Sequence, residues 1–169
     1  MDDFAFVAVD FDSEPHRQEL IYLLNSYASL PIGQGKPLGE TQRMELWKNL
    51  GARRSWVHAF LGYVNGEAVA LTITMEGFST FQGEPLLNIH DFYVADAWQG
   101  KGVGAWFLGK LLSHARQSGF GKITLEVLAG NIAAKRLYHR LGFAPYDNPV
   151  GGNAEFWQCR LDHACSSLG

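Results

Sequence analysis

A glycine-rich stretch, Gln99-Gly100-Lys101-Gly102-Val103-Gly104, is the part of the sequence whose residue types and spacing most directly predict chemistry. It lies between an apolar stretch typical of a strand and an amphipathic stretch typical of a helix. Glycines at such a junction let backbone N–H groups converge on an anion, and the N-terminus of the helix adds a partial positive charge. Residues 99–105 are therefore predicted to hold a ligand that carries phosphate.

The same glycines also fit a dinucleotide-binding pattern. Gly100-x-Gly102-x-x-Ala105 satisfies it, and Glu126 follows about 20 residues later, where that pattern expects an acidic residue. A dinucleotide fold, however, places its glycines directly after a strand and usually in its first βα unit. Here residues 95–99 intervene, about half of the chain comes first, and too little chain follows Glu126. The context therefore disfavours a nicotinamide cofactor.

The strands that must position the glycine turn come mostly before it. Asn65-Gly66 joins two runs of alternating apolar residues, which is a strong signal for a hairpin. Three or four antiparallel strands are expected ahead of the turn, one parallel strand after it, and two more near the C-terminus. The predicted strands cover residues 4–11, 56–64, 67–75, 86–94, 122–128, 144–146 and 154–161.

Four helices are predicted around these strands. Ser13 is the expected N-cap of the first, Thr41 of the second and Asn131 of the fourth. The third begins after the glycine turn at Val103 and shows one apolar stripe that ends near Gly119. Together the elements predict a single mixed α/β domain over residues 1–169.

One set of motifs, in this order, resembles a known family. The strand ending at Val94 is followed by Gln99-x-x-Gly102-x-Gly104, by Asn131, and by Leu137-Tyr138-x-x-Leu141-Gly142-Phe143. Over residues 86–146 this looks like the GCN5-related N-acetyltransferase (GNAT) superfamily. The resemblance implies an α/β fold of the α+β type. Its single sheet would be mixed and mostly antiparallel, with six or seven strands, four flanking helices and splayed central parallel strands.

The resemblance also implies the reaction and the cofactor. The acetyl group of acetyl-coenzyme A would be transferred to a primary amine of a small molecule or peptide, by direct attack in a ternary complex. Backbone N–H groups of the glycine turn would hold the pyrophosphate, and the pantetheine arm would lie between the splayed strands. The implied cofactor-binding residues are Phe92, Tyr93, Val94, Gln99, Gly100, Lys101, Gly102, Val103, Gly104, Ala105, Asn131 and Tyr138.

Two of these residues have alternatives that the sequence leaves open. Tyr138 resembles the family's tyrosine that protonates the departing thiolate, a role that suits a phenolic O–H donor. It could instead be an aromatic packing residue of its helix. Asn131 would bond the pantetheine arm, or cap its helix, or do both.

The base that accepts the proton of the amine is less clear from the motifs. Asn88 stands where many members of the family carry a catalytic Glu. Strict strand alternation places His90 on the same face as Asn88, and its pKa near neutrality makes it the preferred base, directly or through a water. The alternatives are a His90 bonded within the sheet, with Glu126 or Glu76 as base. Asp91 is expected on the opposite face, capping or pairing with a helix.

The composition of the chain argues against several classes of partner. The formal net charge of −3 and the scattered basic residues argue against nucleic acid. The two cysteines, Cys159 and Cys165, match no metal motif, so no metal is expected. No apolar run of about 18 residues or more predicts a membrane span, and the N-terminus does not look like a secretory signal. A cytoplasmic location is the default expectation, and a homodimer is left open.

The acceptor is expected to approach over the Gly- and Pro-containing loop at residues 30–38, which suits a lid. Trp47, Trp56, Phe78 and Phe81 could form an aromatic acceptor pocket, or they could be core residues. The sequence also leaves open a second class of function. The chain could be a non-catalytic module that binds acyl-coenzyme A as a sensed ligand.

Overall fold

The computed structural model describes residues 2–145, which form five strands and four α-helices. A single 3₁₀ turn, Asp96–Trp98, precedes the glycine turn. The elements, in chain order, are β1 (Phe4–Ala8), α1 (Glu14–Ser29), α2 (Glu40–Ala52), β2 (Val57–Val64), β3 (Glu67–Ser79), β4 (Glu84–Val94), α3 (Val103–Gln117), β5 (Lys122–Leu125) and α4 (Ile132–Arg140).

The strands form one mixed sheet in the order β1-β2-β3-β4-β5. The first four are antiparallel neighbours, and β4 pairs with β5 in parallel. The predicted hairpin turn is confirmed, with Asn65 and Gly66 both at positive φ, 52° and 81°, as a tight type I′ turn requires. The mixed α/β class is likewise confirmed. The described sheet has five strands, whereas six or seven were predicted, and the two C-terminal strands fall outside the described residues except for 144 and 145.

The central parallel pair separates part of the way along its length, as predicted. Pairing runs from Leu86 with Lys122 to Ile89 with Leu125 and then stops. Strand β4, however, continues to Val94, still paired with β3 on its other side. The last five residues of β4 therefore have an edge that faces a gap instead of a strand.

Helix boundaries follow their capping chemistry. Asn131 Oδ1 accepts a bond from the Ala134 N–H at 3.2 Å, so Asn131 is the N-cap of α4 as predicted. The prediction of Thr41 as the cap of α2 is wrong. Helix α2 begins at Glu40 after Gly39, because the Gln42 side chain reaches back to accept the Gly39 N–H at 2.9 Å.

The two faces of the sheet carry separate cores. The α1-side core lies between the sheet and α1 and α2, and the α3-side core lies between the sheet and α3. None of the helices within residues 2–145 has the length and apolar character needed to cross a bilayer. The buried residues of the α1-side core are Leu20, Leu23, Leu24, Leu50, Val57, Ala59, Leu61, Leu71, Ile73 and Tyr93. Those of the α3-side core are Phe60, Val64, Val69, Ala70, Leu87, Ile89, Val94, Val103, Phe107, Leu108, Leu111 and Ala115.

Phe107 is the largest side chain that is completely buried, and its ring lies 5.4 Å from Phe6 and 5.8 Å from Phe92. Phe107→Ala is expected to lower the free energy of unfolding by about 3–5 kcal/mol, because it leaves a cavity beneath β4. Phe81, fully exposed at 103%, is the matched control. Phe81→Ala is expected to change stability by less than about 0.5 kcal/mol. Urea unfolding measures both, and equal losses would contradict the assignment of Phe107 to the core.

Candidate active site

A cavity of about 610 Å³ opens where β4 and β5 separate. Its walls come from segments far apart in the chain: the ends of both parallel strands, the glycine turn, helix α4, and the end of α1 with its following loop. The lining residues are Tyr27, Leu30, Ile32, Ile89, His90, Phe92, Tyr93, Val94, Gln99, Gly100, Gly102, Gly104, Ala105, Leu125, Glu126, Val127, Leu128, Asn131, Ala133, Ala134, Arg136, Leu137, Tyr138 and Arg140. The cavity thus contains most of the residues predicted from the sequence.

The glycine turn contributes backbone rather than side chains. Gly100 and Gly102 have φ of 73° and 86°, the left-handed region that favours glycine. An added Cβ would meet nothing within 4 Å at either residue, so conformation and not crowding by protein requires glycine here. The first bond within helix α3 runs from the Trp106 N–H to the Gly102 carbonyl at 3.0 Å. The N–H groups of residues 103–105 therefore have no acceptor within the helix and suit an anion.

Two predicted cofactor residues turn their side chains away from the cavity. Val103 is buried in the α3-side core. Lys101 is exposed, and its ammonium lies 5.2 Å from the centre of the Trp98 ring, an arrangement typical of a cation–π contact. Only the main chain of these two residues is in a position to serve a ligand.

Gln99 joins the turn to the end of β4. Its Nε2 donates to the Val94 carbonyl and to Asp96 Oδ1, both at 2.9 Å. Because the Ala95 N–H donates to Val69 on β3 at 2.8 Å, alternation along the strand directs the peptide groups of Phe92 and Val94 away from β3 and into the gap. Gln99 satisfies the Val94 carbonyl. The peptide groups of Phe92 and the Val94 N–H remain directed at the cavity.

A β-bulge interrupts β4 at His90. Ile73 pairs with Asp91, whereas Thr74 pairs with Ile89, so His90 has no partner on β3. The bulge reverses the alternation of side chains along β4. The expectation that strict alternation runs through His90, with Asn88 and Asp91 on opposite faces, is therefore wrong.

The residues on either side of the bulge show the reversal. Leu87 and Ile89 before it, and Val94 after it, all pack in the α3-side core. Tyr93 packs in the α1-side core together with Ile73, the cross-strand partner of Asp91. Asp91 therefore lies on the α1 side, and so does Asn88, whose partner Met75 packs there.

His90 itself is exposed and lines the cavity. Its ring makes no hydrogen bond to another residue in the range 2–145, so the alternative of a histidine bonded within the sheet has no support there. An exposed imidazole that faces a cavity can exchange protons with solvent and with a bound molecule. The role of His90 as a base stays a prediction.

Tyr138 reaches the cavity from α4. Its ring packs on Phe143, with centroids 5.7 Å apart, and contributes to the α3-side core. Burial, with a smaller effect of the nearby Tyr27 phenol, raises the pKa of Tyr138 to about 12. The phenol therefore keeps its proton through the neutral and mildly alkaline range and can donate a hydrogen bond to an atom in the cavity.

The aromatic residues at the α1 end of the cavity are not those suggested by the sequence. Tyr27 and Tyr93 stack with centroids 5.7 Å apart, and both line the cavity. Trp47 packs on Phe11 in the α1-side core, at 5.4 Å between centroids. The other three candidates, Trp56, Phe78 and Phe81, are exposed and lie outside the cavity lining. The spacing of Tyr27 on its helix gave no signal beyond that of a core residue.

The loop expected to act as a lid does meet the cavity, since Leu30 and Ile32 line it. The loop folds back on the end of α1: the N–H groups of Gln34 and Lys36 donate to the Ala28 carbonyl at 3.1 and 3.2 Å. The loop is therefore anchored at its base and open to solvent at its tip.

The two remaining candidate bases, Glu126 and Glu76, lie at different cavities. Glu126 is exposed at the cavity rim and accepts long bonds from the Asn88 amide at 3.4 and 3.5 Å. Glu76 lies instead at a second, smaller cavity of about 230 Å³, where it pairs with His58 at 2.7 Å. Glu76 therefore cannot act in the larger cavity.

Sequence reasoning also missed Arg136 and Arg140, whose spacing around Tyr138 places them on the same helix beside the cavity.

No group of three or more His, Cys, Asp or Glu side chains suited to a metal ion occurs within the described part of the chain. The donors that the cavity offers are backbone N–H groups, three phenols, two side-chain amides, two guanidinium groups and an imidazole. This set suits an anionic, thioester-bearing ligand and proton transfer near it.

Known proteins resemble this chain in sequence and in fold. Residues 20–143 match the family model for the acetyltransferase (GNAT) family. The chain is 37% identical over 75 residues to mycothiol acetyltransferase of Nocardiopsis dassonvillei, a match covering 44% of this chain and 23% of that protein. It is 34% identical over 98 residues to L-methionine sulfoximine/L-methionine sulfone acetyltransferase of Salmonella typhimurium, covering 54% of this chain and 57% of that one. The matches thus span only part of each relative.

A solved structure shows the same fold over nearly the whole length. AAC(6')-Iy in complex with the bisubstrate analogue CoA-S-monomethyl-acetylneamine superposes with a TM-score of 0.72 at 10% identity, covering 94% of this chain and 99% of that chain. At this identity the likeness shows the fold alone.

The capping bond of Asn131 leads to a test of how α4 is held against the cavity. Asn131→Ala is expected to lower the free energy of unfolding by about 0.5–2 kcal/mol, because the Ala134 N–H loses its acceptor. Asn131→Asp keeps the acceptor oxygen and adds a negative charge at the helix N-terminus, so it should be as stable as the wild type. Urea unfolding compares the three proteins, and a fully stable Asn131→Ala would show that the cap contributes nothing.

Proposed function

The chain belongs to the GNAT family of acetyltransferases, and we propose that it transfers the acetyl group of acetyl-coenzyme A to a primary amine of a small molecule or peptide. The observation that carries the proposal is the separation of β4 from β5. It leaves the main-chain N–H groups of Phe92 and Val94 facing a cavity that begins at the glycine turn. A phosphate group and an extended polar arm can both be held there.

The donor side would be bound mainly by backbone. The pyrophosphate would contact the N–H groups of residues 100–105, where the helix α3 dipole adds to the attraction. The Gln99 N–H already donates to the Asp96 carbonyl at 3.2 Å. Arg136 and Arg140 on α4 are exposed cations at the same cavity and would pair with further phosphate charge. The pantetheine arm would lie along the open edge of β4 like an added strand, within reach of Asn131.

The reaction converts an ammonium and a thioester into an amide, a thiol and one released proton. The amine must first lose a proton, and its nitrogen then attacks the carbonyl carbon. The carbonyl oxygen becomes negative and would be stabilised by a main-chain N–H of residues 92–94. When the C–S bond breaks, the nitrogen loses its second proton and the thiolate gains one.

Tyr138 would donate that last proton, or a hydrogen bond, to the departing sulfur. Its raised pKa keeps the phenol protonated, which is the state that a donor needs. His90 would take the first proton from the amine, since its imidazole is exposed in the same cavity. The bulge brings His90 to the cavity although it interrupts the strand.

One observation favours a second candidate, a module that binds acyl-coenzyme A without turnover. The residue expected to be a catalytic Glu is Asn88, and its amide is engaged with Thr124 Oγ1 at 3.1 Å and with Glu126. That position therefore supplies no base. The curated relatives named above are acetyltransferases for mycothiol and for L-methionine sulfoximine and sulfone, which favours a catalyst that acts on a small molecule.

Thiol release from acetyl-coenzyme A with a panel of amines tests the proposal. We expect turnover with at least one small-molecule or peptide amine, and one free thiol for each amide formed. Binding of acetyl-coenzyme A is measured in parallel by calorimetry. Binding without turnover on every amine would favour the sensing module, whereas no binding would contradict both candidates.

Tyr138→Phe tests the donor to the leaving group. The ring and its packing on Phe143 remain, so the KM for acetyl-coenzyme A should change little, while kcat should fall about 100-fold, as loss of an acid catalyst implies. Because the folded-state pKa is raised from 10.0 to about 12, the wild type should lose no rate through Tyr138 as the pH rises to 10. Steady-state kinetics across pH give both results, and an unchanged kcat would remove the acid role.

A further inference from the structure

We propose that Asp91 supplies the negative charge that selects a cationic alkylamine as the acceptor. The inference rests on the acetyltransferase function proposed above and adds the charge class of its second substrate. It follows from the bulge at His90, which turns Asp91 to the α1 side of the sheet, where the acceptor end of the cavity lies.

The backbone around Asp91 is held firmly. Its cross-strand partner Ile73 is buried in the α1-side core. Its carbonyl accepts the hydroxyl of Thr72 at 2.9 Å, and Thr72 is completely buried. The main chain of Asp91 is therefore held in place, and its side chain lies on the same side of β4 as that of Tyr93, two residues away.

The carboxyl group has no partner within residues 2–145. It makes no ion pair or hydrogen bond there, although it is half-buried. Burial raises the pKa of Asp91, and the charge that His90 carries when protonated opposes this rise. A partly desolvated carboxyl that no Lys or Arg neutralises is an attractive site for a cation from outside.

The surroundings of Asp91 suit an ammonium group. Asp91 is set back from the cavity, whose wall at this point is formed by its neighbours His90 and Tyr93 and by Tyr27 of α1. Asp91 lies two residues from Tyr93 on the same side of β4, and the Tyr93 ring stacks on that of Tyr27 with centroids 5.7 Å apart. Burial, and then the negative charge of Asp91, raises the pKa of Tyr27, in agreement with this placement. A cation in the cavity beside the stacked Tyr27 and Tyr93 rings would be stabilised by their π faces and by the negative charge of Asp91.

This arrangement also gives binding and proton transfer a sequence, in which the ammonium binds near Asp91 before His90 takes its proton. Asp91 would draw the ammonium to the acceptor end, and the approaching cation would in turn favour the ionised carboxylate. His90, the adjacent residue, then takes the proton that the amine must lose. Asp91 acts on specificity through its charge, and His90 acts on the reacting nitrogen.

Asp91→Asn in the full chain tests the inference with two acceptors that differ in charge. Benzylamine is an ammonium ion at neutral pH, whereas aniline is uncharged. The variant is expected to lose about tenfold or more in kcat/KM for benzylamine relative to its loss for aniline, with an unchanged KM for acetyl-coenzyme A. Asp91→Glu, which keeps the charge, should restore part of the preference for benzylamine.

Glu67→Gln is the control for net charge, because Glu67 is exposed at the start of β3 in the hairpin. It should leave both acceptors unaffected. Equal losses of Asp91→Asn on benzylamine and aniline would indicate a structural role and overturn the inference, as would no loss on either.

Failure of the proposed function has a separate signature. If the wild type acetylates neither amine, calorimetry measures benzylamine binding to the protein saturated with coenzyme A. Binding to the wild type that is lost in Asp91→Asn would support the charge selection even without turnover. Equal binding by both proteins, or no binding by the wild type, would overturn it.

Discussion

The gap between β4 and β5 is the feature on which the rest of the structure depends. Beyond Ile89 and Leu125 the two strands no longer share hydrogen bonds, and an open strand edge inside a protein is costly unless its polar groups find partners. The Gln99 amide satisfies one of them at Val94. The fully buried Phe107 fixes β4 from below, and Leu137 of α4 approaches Gly104 from the other side of the cavity. The edge that remains open therefore faces a cavity whose surroundings are well packed.

The bulge at His90 is the second constraint, because it decides which side chains reach which side of the sheet. Without it, Asp91 and Ile89 would share the α3 side, and a carboxyl group would enter an apolar core. With it, the apolar residues before and after the bulge stay in that core, while Asp91 and Tyr93 face α1. A single inserted residue thus keeps the α3-side core apolar and brings a carboxylate, a phenol and an exposed imidazole together near the end of β4.

The sequence predicted the fold well because its signals are local. The Asn65-Gly66 hairpin, the Asn131 cap and the glycines at 100 and 102 each need a particular backbone conformation, and few residue types provide it. The bulge has no such signal, because the residues around His90 have the pattern of a regular strand. The bulge arises only from the way in which β4 pairs with β3. The same holds for Tyr27, which meets Tyr93 only through the packing of α1. Sequence reasoning therefore failed at contacts between distant segments, among them Trp56 and Phe78, which are exposed rather than gathered in a pocket.

The candidate site has two halves, one proposed for the acyl donor and one for the acceptor. They differ in whether local sequence signals or contacts between distant segments determine them. The donor half is made of main-chain groups at a turn and at a strand edge, so it depends on conformation and is compatible with many surrounding sequences. The acceptor half is made of side chains from α1, β4 and the loop after α1, and each can change without disturbing the turn. A fold organised in this way can keep one acyl donor while its acceptor varies. Under the function proposed above, the charge and shape contributed by Asp91, Tyr27 and the loop would therefore select the acceptor.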